Sequence, residues 1–245
     1  RNFAARQALE DGCHVMMFSD NVSLEQELEL KTLARDRGVL MMGPDCGTAI
    51  INGAPLAFAN SVKKGNIGIV AASGTGLQEV SVLISNEGGG ISQAIGTGSR
   101  DVKQDVGALT FIQGLKALAA DKATSLIVLV SKPPHPDVLA KIMGEVKKIN
   151  KPVVAVLLGG EASLPSKKDF YAAHTLEEAA LKAVFIARDG SPKKAKERLF
   201  DINTEAQKAA LRELARKTPK QKYLRGLFSG GTFVSEAQLV LAKIT

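Results

Sequence analysis

Apolar residues along the chain follow two alternating rhythms. Short continuous runs fall at Val15–Phe18, Val39–Met42, Ile67–Ala71, Ile91–Ile95, Ser125–Val130 and Pro152–Leu158. Runs without polar alternation mark strands buried on both faces, as in a parallel sheet. Between them, apolar positions recur every three to four residues, the spacing of a helix with one buried side. That pattern predicts helices over about 3–10, 23–37, 104–119, 137–149 and 175–187, and another from the Ala72–Gly76 turn through about Ser85. Ser23 with Gln26, and Thr175 with Glu178, have the spacing of capping boxes. Gly12 and Gly38 sit where helices stop.

Such alternation predicts an α/β fold: open, mostly parallel sheets with helices on both faces. The glycine-rich segments at 43–47, 72–76, 96–101 and 159–160 all follow strands. In sheets of this kind the carboxyl ends of the strands form the ligand-binding edge, so a site is expected there. Beyond Asp189-Gly190-Ser191-Pro192 the pattern changes to a basic connector with a helix at about 204–217. A strand at Leu224–Phe228 and a helix from about Thr232 follow. One strand and one helix do not make a domain, so this end reads as the first βα unit of a second, incomplete one. The opening on Arg1 in mid-pattern is that expected of a chain lacking its natural beginning.

A repeat links the two regions. Displaced by 157 positions, Ile67-Gly68-Ile69-Val70-Ala71-Ala72-Ser73-Gly74-Thr75 falls on Leu224-Arg225-Gly226-Leu227-Phe228-Ser229-Gly230-Gly231-Thr232, and Glu79 falls on Glu236. Each copy reads strand, small-residue turn, helix. Free N–H groups at such a helix start, with the helix dipole behind them, suit an anion. Ser73, Gly74 and Thr75 are therefore candidates to hold phosphate, as are Ser229, Gly230, Gly231 and Thr232. Neither copy has the Gly-x-x-x-x-Gly-Lys-Ser/Thr or Gly-x-Gly-x-x-Gly pattern, which excludes a P-loop and leaves a dinucleotide fingerprint unsupported.

Composition narrows the classes. The 245 residues carry a net charge of +7, and residues 188–225 hold 12 of the 32 basic and 5 of the 25 acidic side chains. The whole excess thus sits in the connector, as a solvated amphipathic helix or as a surface facing a partner or phosphate. Aromatics are 4% with no Trp, against the stacking platforms of nucleic-acid modules. No apolar run reaches the ~20 residues of a membrane helix. Cys13 and Cys46 are too few for a disulfide scaffold or a four-cysteine metal site; no metal and a reducing cytoplasm are expected.

The strand-end loops supply further candidates. Gly43, Pro44, Asp45, Cys46, Gly96, Gly98 and Arg100 are expected to shape the pocket. Cys46 has no adjacent histidine to activate it, which favours a structural role over a nucleophile. Asp45 could orient a ligand or cap its turn. Arg100 could clamp a carboxylate or phosphate, or pair at the surface with an acid, and Asp101 stands beside it. Glu79 and Glu236 lie one turn into their helices, facing ligand or solvent.

Gly43-Pro44-Asp45-Cys46, Gly68-Ile69-Val70 with Ser73-Gly74-Thr75 and Glu79, Gly96 and Gly98, and Lys151-Pro152-Val153-Val154 with Gly159-Gly160 resemble the succinyl-CoA synthetase α-subunit superfamily. Gly98-Ser99-Arg100-Asp101 and the 224–232 segment resemble its FdrA branch, an acyl-CoA synthetase-like family. The resemblance covers about 3–187 and 223–243. It implies the end of a CoA-binding Rossmann-like domain at 1–60, a flavodoxin-like ligase-CoA domain at 61–187, the connector at 188–222, and the first βα unit of a second ligase-like domain at 223–245. It also implies CoA as a candidate ligand, a phosphoryl group or an acyl or carbamoyl phosphate held between two helix starts, small-molecule substrates, and partner subunits or a homo-oligomer. Nucleic acid and membrane are not implied.

One departure bears on mechanism. The ligases phosphorylate a histidine in a loop after the strand matching 153–158. Here Gly160 is followed by Glu161-Ala162-Ser163-Leu164-Pro165-Ser166, and no histidine occurs between 136 and 173. His14, His135 and His174 do not fit the motif. FdrA-like proteins are linked to a subunit of an oxamate carbamoyltransferase in allantoin catabolism, a reaction needing neither phosphohistidine nor nucleotide. The resemblance therefore favours that transfer, beside CoA ligation and a non-catalytic scaffold or regulatory subunit.

Overall fold

The computed structural model describes residues 2–160, 168–218 and 220–243. A short first unit holds α1 (Asn2–Glu10), β1 (Val15–Met16), α2 (Leu24–Arg37) and β2 (Met41–Met42), with β1 and β2 paired in parallel. The Ser23–Gln26 capping box is formed, and Gly38 ends α2 in a left-handed turn (φ 70°), the conformation a side chain resists. Leu9, Leu30, Ala34 and Met41 make its core.

The main sheet has seven strands in the order β4-β3-β6-β5-β7-β8-β9. These are β3 (Thr48–Ile51), β4 (Ala54–Ala57), β5 (Lys64–Ala71), β6 (Ile91–Gly96), β7 (Leu126–Ser131), β8 (Val153–Leu157) and β9 (Phe170–Ala172). From β6 to β9 every pairing is parallel; the β3–β4 hairpin adds an antiparallel edge through Ile50 opposite Ala94. Helices α3 (Gly74–Asn86) and α6 (Leu176–Asp189) cover one face, and α4 (Leu109–Ala120) and α5 (Pro136–Val146) the other. Every residue of β7 and β8 is buried, which is why their sequences run apolar without alternation. The fold is thus a mostly parallel α/β sandwich with helices on both faces of the sheet.

Some expected boundaries move. The helix expected from 104 starts at Leu109, because the Asp101 carboxylate accepts from the Thr110 and Phe111 amides and caps it there. The helix expected at 204–217 is the second half of one 25-residue helix, α7 (Pro192–Arg216), opened by Ser191 as cap and Pro192 in its first turn. Thr175 caps α6, but the Glu178 carboxylate bonds the His174 amide rather than the cap's own.

The strand expected at Leu224–Phe228 is not formed. Residues 221–228 have no regular structure, and Leu224 and Leu227 are exposed. A strand exists only when its backbone is paired, and no described strand lies alongside. The helix after it, α8 (Gly231–Leu241), does form.

Candidate functional site

The repeat predicts that two helix starts correspond, and they do. Under the same displacement Gly74, the first residue of α3, falls on Gly231, the first of α8. The two starts also meet. Ser73 Oγ and Thr232 Oγ1 share a hydrogen bond of 2.5 Å, both side chains being buried. Ser73 Oγ accepts from the Gly76 amide as well, so one hydroxyl caps α3 and joins α8 to it. Gly230 allows this approach: a Cβ there would run into the Thr75 side chain.

Beside the junction, at the carboxyl ends of the strands, lies a cavity of about 430 Å³. Ser73, Gly74 and Thr75 line it on one side, and Gly231 and Thr232 on the other. Asp45, Thr48, Gln78 and Ser99 add polar groups, and Phe18 and Phe58, packed edge to face at 5.3 Å, form an apolar rim. Lys132, just past β7, brings an ammonium group. Its Nζ lies 3.1 Å from where a Cβ on Gly231 would stand, and it forms no ion pair with a described residue. The cavity thus brings together hydroxyls, the first residues of two helices, the Lys132 ammonium and the Asp45 carboxylate.

The other expected residues take supporting places. Ser99 Oγ donates to Asp45 Oδ2 at 2.8 Å across the cavity wall. Gly98 (φ 85°) presses on the Pro44 carbonyl, where no side chain fits, and Gly96 stacks against Cys46 and Thr48. Cys46 is buried, its Sγ directed at the Thr48 and Gly96 carbonyls, and burial pushes its thiol up. It is a packing residue, not a poised nucleophile. Ser229 does not line the cavity. Arg100 turns away from it: Nε pairs with Glu27 at 2.8 Å and an Nη donates to the Val22 carbonyl. Asp101 is wholly buried and pairs with Lys31 at 2.7 Å.

The histidines do other work. His14 Nδ1 accepts from the Leu40 amide and His135 caps α5. Residues 161–166, which replace the phosphohistidine loop, lie outside the described residues. Lys132, Thr48 and Gln78 were not picked out from the sequence: Lys132 and Thr48 reach the cavity through the ends of β7 and β3, and Gln78 from one turn into α3, just past Ser73-Gly74-Thr75. A second cavity, about 850 Å³ and mainly apolar, lies between α3, α6, α7 and the 224–241 segment. There Glu236 is half-buried rather than solvated, its carboxylate accepting from the Leu176 amide at 2.6 Å.

No protein-family model matches the chain. It is 47% identical over 239 residues to YahF, an uncharacterized protein of Escherichia coli, covering 98% of this chain and 45% of that protein. It is 27% identical over 180 residues to subunit alpha 2 of an ADP-forming succinate–CoA ligase of Archaeoglobus fulgidus, covering 71% of this chain and 60% of the subunit. Among solved structures, a dinucleotide-forming acetyl-coenzyme A synthetase 1 of Ca. Korarchaeum cryptofilum matches with a TM-score of 0.53 at 17% identity. That match covers 74% of this chain and 44% of that one. The chain therefore spans less than two thirds of each of these relatives. It has distant homology to succinate–CoA ligase α subunits and a CoA-ligase-like scaffold. No described helix is long and apolar enough to cross a membrane.

Proposed function

We propose that the cavity between the starts of α3 and α8 is an anion site of a ligase- or transferase-type enzyme subunit. It would hold the phosphoryl group of an acyl or carbamoyl phosphate. The observation that carries this reading is the 2.5 Å Ser73–Thr232 contact, which brings two helix starts together beside Lys132. Amides at both starts, the Thr75 and Thr232 hydroxyls and the Lys132 ammonium would stabilise charge on phosphate oxygens while the carbonyl is attacked. Catalysis would then rest on positioning and electrostatics.

Within the class, FdrA-like carbamoyl transfer to oxamate is the favoured reaction. No histidine lines the cavity and none occurs between 136 and 173, which favours a route without phosphohistidine. CoA ligation with CoA as ligand is the second reading, supported by the likeness to succinate–CoA ligase subunits. A non-catalytic anion-binding scaffold that docks partner subunits is the third.

Calorimetric titration with inorganic phosphate and carbamoyl phosphate tests the site. Binding that weakens about tenfold in Lys132→Ala is expected, the size of one charge-assisted hydrogen bond. Unchanged binding in that variant would overturn the assignment. Oxalurate breakdown with phosphate, in the presence of partner subunits, supports carbamoyl transfer, whereas ATP-dependent acylation of CoA supports ligation. Thr75→Trp that abolishes turnover with assembly intact excludes the scaffold; unchanged turnover favours it.

A further inference from the structure

Helix α2 lies behind the cavity and contributes no lining residue, yet it carries two wholly buried charges, Glu27 and Lys31. The Lys31 ammonium donates two hydrogen bonds and forms a further ion pair with Glu27, whose buried oxygens accept no hydrogen bond among the described residues. The bonds go to the Thr97 carbonyl at 2.8 Å and Asp101 Oδ1 at 2.7 Å, and the ion pair to Glu27 Oε1 at 3.0 Å. Arg100 closes the group by pairing with the other Glu27 oxygen. Two acids and two bases thus balance among α2, the segment after β6 and the capped start of α4.

Stability alone is a poor reason for such a cluster. Removing charges from water is costly, and apolar replacements of similar volume are often as stable or more so. What the cluster fixes is position. Lys31 holds Thr97 and Asp101, the two ends of a segment whose middle residue, Ser99, faces the cavity and bonds Asp45. Asp101 in turn caps α4, which has no side-chain cap of its own at Ala108.

We propose that Lys31 is a positioning residue of the candidate site, fixing from α2 the 97–101 segment whose Ser99 lines the cavity. The proposal rests on the anion-site reading only in its consequence for binding. Amide hydrogen exchange read by mass spectrometry tests it on the whole chain. Lys31→Met leaves an unbalanced acid and risks unfolding. Lys31→Met/Glu27→Gln keeps the cluster neutral, and Glu27→Gln alone changes almost no volume.

In the double variant, exchange across 97–103 should rise at least about tenfold while β5 and β7 stay within about threefold of the parent chain. Glu27→Gln should show the same local loosening, at about threefold, and serves if the double variant does not fold. Acceleration spread evenly over 97–103, β5 and β7 would mean a purely structural role and overturn the proposal. Retained protection at 97–103 would overturn it as well. Inorganic phosphate, titrated into the same proteins, should bind at least about fivefold more weakly wherever the segment loosens. Unchanged affinity with a loosened segment overturns the link to the site. A parent chain that fails to bind phosphate counts against the anion site instead, and the exchange result still decides what Lys31 does.

Discussion

At the scale of single residues, the junction between two hydroxyls carries the most consequence. Thr232→Val keeps the shape of the side chain and removes its half of the Ser73 contact. The loss should be about 1 kcal/mol of α8 docking, seen as about fivefold faster amide exchange in α8 with the β-sheet unchanged. The cysteines differ in the opposite sense. Cys13 is exposed and Cys46 buried with its thiol pushed up. A thiol reagent should titrate Cys13 in the native chain and reach Cys46 only after unfolding; rapid native reaction of Cys46 would contradict its packing role.

Among the elements, α8 is held in a setting that responds to pH. Burial, with Glu79 and Glu177 nearby, raises the Glu236 carboxyl above its ordinary value of 4.5, against the opposing Leu176 amide. Glu177 is raised as well, by burial and then by Glu87, with Arg198 opposing. A raised value means that the docked helix holds its proton more tightly than the released one. Docking gains from this in full below 4.5, and loses it as pH rises through the raised values. Exchange protection in α8, corrected for intrinsic rates, should therefore fall from pH 4.5 toward neutrality. Glu236→Gln should flatten that fall while keeping an acceptor for the Leu176 amide; an unchanged slope would remove Glu236 from the account.

The elements also differ in how plainly the sequence announces them. Buried parallel strands such as β7 are legible because burial on both faces leaves no polar position. Helices α2 and α6 are legible through their caps. The β3–β4 hairpin was missed although Asn52-Gly53, a favoured hairpin turn, separates its strands; β4 is exposed throughout and carries Pro55, so it lacks the buried apolar run of the other strands. Three-residue β9 is too short to show a period. The 224–228 segment misled for the reverse reason: its pattern matches β5, but local pattern does not supply a pairing partner.

For the whole molecule, the sheet edge that carries the candidate site was legible and the residues lining the cavity only partly so. Glycines after successive strands pointed to one sheet edge, and the repeat to two matching helix starts. Lys132 could not be found that way, because nothing near it in sequence resembles a site; strand order alone sets it beside Gly231. Arg100 illustrates the converse. Its neighbours looked like ligand-facing residues, but an acid on α2, far away in sequence, claims it.

The two hydroxyls that meet at the cavity are 159 residues apart along the chain. A nascent polypeptide emerging from the ribosome can complete the sheet through β9 well before Thr232 has been synthesised. The cavity therefore cannot close before Gly231 and Thr232 have been made, and a copy that stops short of Gly231 carries the sheet without the second helix start.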